Sequence, residues 1–594
     1  MLTIKSNKIV LILFFATLVL TALFFFSCKK ESSSDNGTIT ETQPDLTTKI
    51  SSSVSGFVTD ENNAAVNAAE VIVGDANTIT DKYGYFEVRN VQVVKDAAVV
   101  KVAKTGYFKS IKTYIAAENK NAFFRIKLIP KTAAAIIDAA IGGSATLTAG
   151  LSVALPANAV VNAATNASYT GSVTVIAIWI DPTSNDLNST MPGDLRGLDK
   201  NGFIKLLTTY GMCAVELTGA AGELLQVANN KKATLSFPIP ASITGSAPAT
   251  IPLWYFDEVK GLWKEEGSAT KTGNNYVGEV SHFSFWNCDV ALNYIQFSCV
   301  VVDPSGNPVQ NAIVKISVVS NLQNSRSSYT DSSGYTGGAI PNNAQLLLEI
   351  FSDYSCTNVL FSQNFATGSS NVSLGNITIP VNATANVYGN VINCNNAPVT
   401  NGFIIMKKND IIFRYPVSNT GTFNFTTTSC NNNTPINIIA EDITSQQAGN
   451  PSTLILLAGN NAAGTLSACG NSIAEFINYS VNSTSYSITG PSDSLIQDFR
   501  LAPSVAINGN QFPNSAQIEF SQSGIGVNSM QALQYFYSAR INELPTTQPA
   551  LVNITEYGAI GEFIAGNFTC MLIGLPPASL QYNIICNFKI RRRF

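Results

Sequence analysis

Along most of the chain, apolar residues stand two positions apart, and short runs of this kind are broken by clusters of Asn, Asp, Ser, Thr and Gly. Period-two alternation places every second side chain on one face of a strand, and the intervening clusters are turn chemistry. Residues 172–181, SVTVIAIWID, read as a buried strand. Residues 251–287 read as consecutive strands with turns at Val259-Lys260-Gly261 and Thr272-Gly273-Asn274, the last strand placing His282, Ser284 and Trp286 on one face and Phe283 and Phe285 on the other. Residues 474–490 predict a hairpin. In the final strand Phe588, Ile590, Arg592 and Phe594 alternate with Lys589, Arg591 and Arg593, and those arginines read as charges guarding a sheet edge. A single short helix is expected over 529–538. The pattern therefore predicts an all-β protein: tandem β-sandwich modules, a larger central β domain and a C-terminal β domain.

The alternation also repeats. SGFVTDENNAAVNAA (55–69), SCVVVDPSGNPVQNA (298–312) and YGNVINCNNAPVTNG (388–402) align without a gap, so that Asp60, Asp303 and Asn393 correspond. A hairpin block follows each: ITDKYGYFEV (79–88), YTDSSGYTGG (329–338) and VSNTGTFNF (417–425). Each copy ends in a short apolar strand, at 123–130, 372–380 and 462–470. Internal repetition of this kind marks one structural unit used several times. The pattern V-x-G-x-V-x-D-x-x-x-x-P-V-x-x-A, then T-D-x-x-G-x-F, resembles the carboxypeptidase regulatory-like domain, which implies a transthyretin-like sandwich of about seven strands that accompanies enzymes, transporters and surface proteins. Asp60, Asp81, Asp303 and Asp331 read as turn caps rather than calcium ligands, because no run reaches the oxygen density of a calcium loop.

One stretch breaks the alternation. Residues 9–26 carry no charge, are apolar save for Thr17 and Thr21, and follow Lys5 and Lys8, which is the form of a secretory signal. The run ends in Ser27-Cys28 and resembles a bacterial lipoprotein signal, although Phe25 stands where such signals usually have Leu. That resemblance implies cleavage after residue 27, acylation of Cys28, and membrane attachment through the lipid. The following CKKE resembles lipoproteins of the Bacteroidetes, some of which reach the cell surface, so the expected location is the outer membrane. An uncleaved anchor helix is the alternative, since ~18 residues just span a bilayer. The expected organisation is a signal at 1–27, a disordered tether at 28–50, regulatory-like module 1 at 51–130, a central domain at 131–290, modules 2 and 3 at 291–380 and 381–470, and a C-terminal domain at 471–594: a string of small sheet-only units.

Composition narrows the chemistry. Lys and Arg number 35 against 39 Asp and Glu, a net charge of −4 that does not supply the basic footprint of a nucleic-acid binder. The single histidine, His282, limits any Ser-His or Cys-His mechanism to one position. No CxxC or GxSxG occurs. No cofactor and no metal site is expected. Beyond Cys28 nine cysteines remain, and spacing suggests bridges Cys299–Cys356, Cys394–Cys430 and Cys570–Cys586, with burial as small apolar residues the equal alternative.

All four tryptophans fall in the central domain. IPLWYFDEVKGLWKEEGSA followed by VSHFSFWN resembles the extracellular region of the astroprincin family, over residues 50–290, with cartilage intermediate layer proteins as looser relatives; this implies an extracellular, non-catalytic role. ALPANAV (154–160) and MPGDL (191–195) resemble a ZU5-like sandwich more weakly. Trp254, Trp263 and Trp286 are candidates for an aromatic sugar platform, with core packing the competing reading. Asp257-Glu258 and Glu265-Glu266 offer the carboxylates that a glycosidase or peptidase would need, though a hydrolase requires two of them across a cleft. The preferred expectation is a non-catalytic envelope lipoprotein that binds or scaffolds a glycan, peptide or envelope protein; the alternative is a carboxylate-dependent hydrolase.

Overall fold

Every long element among the described residues is a strand, because each half-buried alternating run finds a partner strand to pair with. The computed structural model describes residues 43–594 apart from 353–357, 410, 430–433, 483, 490–494, 499–503, 512–513, 522–524, 535–550, 559–562, 574–580 and 592–594. Module 1 contains β1 (Lys49–Thr59), β2 (Glu70–Val73), β3 (Ala76–Ile79), β4 (Tyr85–Val94), β5 (Ala98–Ala103), β6 (Ser110–Tyr114) and β7 (Asn121–Lys127). Strand β1 lies between β4, antiparallel, and β7, parallel, and faces a second sheet of order β3-β2-β5-β6. Val54, Val58, Val71, Val100, Val102 and Ile126 fill the space between the sheets. Module 2 repeats the plan: Tyr294–Val302 lies between antiparallel Tyr335–Pro341 and parallel Val372–Thr378. Module 3 does so again with Thr384–Ile392, Thr422–Thr428 and Gly459–Ser467. The apolar strand that ends each sequence repeat is thus the parallel closing strand.

The repeated polar positions cap the turns. Asp60 Oδ1 accepts from the amides of Asn62 and Ala64, Asp303 Oδ1 from Ser305 and Asn307, and Asn393 Oδ1 from Asn395 and Ala397. At the hairpins, Asp81 accepts from Tyr83 and Tyr85, Asp331 from Ser333 and Tyr335, and Ser418 from Thr420 and Thr422. A single acceptor oxygen does the work, which is why Asn393 and Ser418 replace Asp without changing the turn. Gly84 and Gly334 both have φ +72°, and a Cβ there would stand 2.2 Å from the Val58 carbonyl and 2.4 Å from that of Val301.

In the central domain the long strand Ile204–Thr218 pairs with Phe285–Leu292, which pairs with Thr250–Asp257, then Leu262–Thr272, then Arg196–Leu198, which returns to Ile204–Thr218. Five strands so close a ring. Strand Phe285–Leu292 begins later than the alternation implies. Residues 282–284 form a bend, so Phe283 packs in the same cluster as Trp286, and Phe285 packs in the opposite one. The expected one-face set of His282, Ser284 and Trp286 is corrected accordingly.

The C-terminal domain is a nine-stranded antiparallel sheet, seven consecutive strands in a meander with the opening hairpin added beside the last of them, over a core that includes Ile477, Ile518, Ile554, Ile584 and Phe588. Its first two strands, Phe476–Val481 and Thr484–Thr489, form the expected hairpin. The helix expected over 529–538 is instead strand through Gln534, because Gly526–Gln534 has ladder partners on both sides; residues 535–538 lie outside the described residues. The last strand, Gln581–Arg591, is interior rather than an edge, and Lys589 there pairs with Glu556 at 2.9 Å. Arg592 and Arg593 lie outside the described residues.

Cys394 bonds to Cys469, not to Cys430. Cys394 follows the first strand of module 3 and Cys469 follows the parallel closing strand, so the two strand ends meet. Cys299, Cys570 and Cys586 are unpaired; Cys570 stands opposite Ile584 and Cys586 opposite Phe568. Cys356 and Cys430 lie outside the described residues.

The modules also do not form a string. Module 1 touches module 3 far along the chain: Lys82 pairs with Glu441 at 2.7 Å, Arg125 Nη2 donates to the Ile412 carbonyl at 2.9 Å, and the Arg414 guanidinium lies 4.4 Å from the Tyr85 ring centre. Module 3 in turn meets module 2 through Lys408 Nζ, which donates to Ser352 Oγ at 2.9 Å.

Candidate functional site

The tryptophans proposed as a platform have no free face. Trp254, Trp263 and Trp286 are each 0% exposed. Trp286 belongs to the central core with Phe283, Cys213 and Cys288, and its Nε1 donates to the His282 carbonyl at 2.9 Å. Trp254 and Trp263 pack with Phe256, Phe285 and Met212 against Phe108, Ile111 and Ile129 of module 1. Trp254 Nε1 donates to the Asp289 carbonyl at 3.2 Å. A sugar ring stacks on an exposed aromatic face, so these three serve packing, and two of them join module 1 to the central domain. Gly261 tightens the same joint: its carbonyl accepts from Thr113 Oγ1, and a Cβ there would meet Val99 at 2.4 Å.

The candidate acids are engaged elsewhere. Asp257 Oδ1 caps its turn by accepting from the Val259 and Lys260 amides. Glu258 faces Lys109 at 3.9 Å, Glu265 accepts from the Lys200 amide, and Glu266 accepts from Ser281 Oγ at 2.6 Å. His282 stacks edge-on to Tyr255 with centroids 4.7 Å apart, and burial holds its pKa below the ordinary value against the opposing pull of Glu266. Cys28 lies outside the described residues. Among the described residues no three His, Cys, Asp or Glu side chains gather as a metal-binding group, and no helix is long and apolar enough to cross a membrane.

The feature with the form of a binding site lies where module 1, the central domain and module 2 meet. It is a cleft of about 220 Å³. Its walls are β6, β7 and the loop between them, the short helix Leu187–Thr190 with the segment after it, and the module 2 strands Asn321–Tyr329 and Tyr335–Pro341. Lys112 comes from β6, whose residues Ser110 to Thr113 are all buried. Its Nζ donates to the carbonyls of Asn188 (2.9 Å) and Met191 (2.6 Å), and no carboxylate lies beside it among the described residues. Desolvation without a counter-charge brings its pKa down to about 7. Across the cleft, Arg326 Nη2 donates to the Leu207 carbonyl, its Nε is buried without a hydrogen-bond partner, and burial lowers its pKa to about 10 against the pull of Asp289 and Asp194. Asn188 Nδ2 donates to Ser327 Oγ, stitching the central domain to module 2 at the rim. Nothing in the alternation marks Lys112 or Arg326, because a strand covered on both faces by different domains shows no periodicity of its own.

No family model matches the chain. Cartilage intermediate layer protein 2 of Mus musculus is 32% identical over 157 residues, 25% of this chain and 13% of that protein. Its Homo sapiens counterpart is 31% identical over 111 residues, 18% of this chain and 9% of that protein. The chain thus spans a small part of the curated relatives it matches. Among solved structures, the shaft pilin SpaA from Lactobacillus rhamnosus GG aligns at 9% identity with a TM-score of 0.18, covering 30% of this chain and 98% of that one. The Bacillus anthracis TIE protein aligns at 8% identity with a TM-score of 0.14, covering 71% and 51%. The expected likeness to cartilage intermediate layer proteins is found over part of the chain, and the strand pairings themselves make the fold an all-β, multi-sandwich one.

Proposed function

We propose that this chain is a non-catalytic binding and scaffolding protein of the cell envelope, tethered to the outer membrane by a lipid on Cys28 and offering its three-domain cleft to a ligand outside the cytoplasm. The observation that carries the reading is the cleft itself: a cavity bordered by three domains, lined with cations, hydroxyls and aromatic rings, while the acids that a hydrolase would use are tied to turns and neighbouring side chains. The leader with its Ser27-Cys28 junction supports the location. Three measurements test it. Mass spectrometry of the isolated protein should find an acylated Cys28 at the amino end, and protease added to intact cells should report on surface display. Polysaccharide and peptide turnover panels should show no activity. An amino end still attached to the hydrophobic leader would refute the lipid anchor, and turnover lost in Glu265→Gln or Asp257→Asn would refute the non-catalytic reading.

A further inference from the structure

Four of the strands around the cleft are the last strands of their sheets: β6 and β7 in module 1, Asn321–Tyr329 and Tyr335–Pro341 in module 2. Unbroken runs of residues line it, 120–125, 326–329 and 335–340. A sheet face would contribute every second residue, so these strands turn their edges to the cavity. On β7 the unused backbone can be read off. The Ser53 amide donates to the Lys120 carbonyl and the Leu128 amide to the Thr59 carbonyl, which puts the even-numbered residues of β7 in the parallel ladder with β1. The N–H and C=O of Asn121 and Phe123 therefore point away from β1, and no group among the described residues bonds them.

The three copies differ at this edge. In module 2 the closing strand passes from Ser298 opposite Ser373 to Val300 opposite Asn376, with Gly375 at φ +63° in the bulge. In module 3 it passes from Tyr388 opposite Ala462 to Gly389 opposite Gly464, again with a positive φ, +71°, at Gly464. Ser55, Ser298 and Tyr388 correspond in the repeat, so the matching position in module 1 is Phe123, opposite Ser55. There the register runs from Asn121 to Lys127 without a shift. A bulge spoils an edge as a template for another strand. Of the three closing strands, the one that borders the cleft is the one left regular.

Resting on the binding reading above, we propose that the cleft takes an extended peptide segment of a partner protein, which adds to module 1 as a strand beside β7. Main-chain bonds to Asn121 and Phe123 hold it, and alternate side chains give selectivity. Two aromatic pairs await those side chains. On one face of β7, Phe124 packs on Tyr114 of β6 with ring centres 5.7 Å apart; on the other, Phe123 packs on Tyr329 at 5.6 Å. Successive residues of the segment thus meet apolar surface, which selects uncharged, β-branched side chains such as Val, Ile and Thr. The lining cations do not ask for an acidic segment. Lys112 and Arg326 donate to carbonyls of the central domain, Arg125 donates to the Ile412 carbonyl, and Lys120 lies over the Tyr335 ring at 5.4 Å. On the opposite wall Gly337 and Gly338 carry no side chain, and a Cβ on Gly338 would meet nothing within 4 Å. The far side of an added strand therefore has room.

The test is calorimetric titration of the detergent-solubilised full chain with the capped pentapeptide Ser-Val-Thr-Val-Ser. It is set against the same peptide N-methylated on both valines, the same peptide N-methylated on the other three residues, the analogue Ser-Asp-Thr-Asp-Ser, and maltotriose. One of the two N-methylated forms, the one whose methyl groups face β7, is expected to bind at least tenfold more weakly than the parent peptide. The aspartate analogue and maltotriose are expected to be at least tenfold weaker as well. Phe123→Pro removes an outward amide and leaves the β1 ladder alone, so it should weaken the parent peptide at least tenfold; Phe123→Ala keeps the amide and should weaken it less. Gly338→Ile, which fills the opposite wall, should also cost at least tenfold. No binding of the parent peptide at millimolar concentration, equal binding of all three backbone forms, or tighter binding of maltotriose overturns the proposal. The peptide series on the unaltered chain decides this by itself if a variant fails to fold. A chain that ignores the peptides yet carries the lipid and turns over no substrate would refute this inference and leave the envelope reading standing.

Discussion

Module 1 and module 2 are copies of one sandwich, yet they meet the central domain in opposite ways. Module 1 is joined through a dry apolar cluster in which Phe108, Ile111 and Ile129 pack against Trp254, Trp263, Phe256 and Phe285. Module 2 is joined around a cavity of about 220 Å³ with a few polar contacts, Asn188 to Ser327 and Arg326 to the Leu207 carbonyl. The first joint is continuous with a folding core, so separating it exposes large aromatic surface. The second separates at the loss of a small apolar contact, Tyr294 against Ile204 and Leu262, and of a few hydrogen bonds, each worth about 1 kcal/mol net. A repeated fold therefore does not repeat its interfaces: one copy builds a platform, and the next leaves room for something else to complete the contact.

The largest test of this contrast is Trp254→Ala. It should cost about 3–5 kcal/mol by denaturant unfolding, because it empties the sealed joint; a loss below about 1 kcal/mol would erase the distinction between the two interfaces. Next comes Lys112 at the open joint. Its pKa falls from 10.5 unfolded to about 7 folded, so the unfolded chain binds more protons between those values. Stability should then rise with pH across that window, by up to about 1.4 kcal/mol per unit, as the buried amine sheds its charge. Lys112→Met should lack this component, and the gain of the variant over the parent should be greatest below pH 7; parallel pH profiles would contradict it. Asn188→Ala should cost only about 1 kcal/mol, yet hydrogen exchange should quicken in 323–329 and not in β5. The smallest effect is expected at a turn away from the cleft: Asp60→Asn should change stability by less than about 0.5 kcal/mol in the same unfolding assay, since only its Oδ1 caps the turn and Asn393 makes the same two bonds in module 3.

How much of this was legible depended on range. The turns built on Asp60, Asp303 and Asn393 could be read because a side-chain oxygen bonds amides two and four residues away, and both partners lie in one short segment. The burial of Trp254 beside Phe256 followed from alternation, but the sequence could not say that the core in question is shared with module 1. The bend at 282–284 escaped the pattern because it shifts the phase of one strand without disturbing its composition. The Cys394–Cys469 bridge joins positions 75 residues apart that only strand pairing makes neighbours. Lys112 and Arg326 gave no sign at all, since their significance arises where three separately folded faces converge.

One consequence of the repeated topology is mechanical. In each module the first strand and the closing strand run side by side in the same direction, from Ser53 opposite Asn121 to Thr59 opposite Lys127 in the first copy. The chain therefore comes in at one end of the sandwich and goes out at the other, and tension along it slides these two strands past each other. Bonds loaded in that manner resist together, whereas a hairpin pulled from its open end unzips one rung at a time. In the third copy the sulfur link between Cys394 and Cys469 goes further, carrying force from the first strand directly to the exit and keeping the part of the module between them out of the load path.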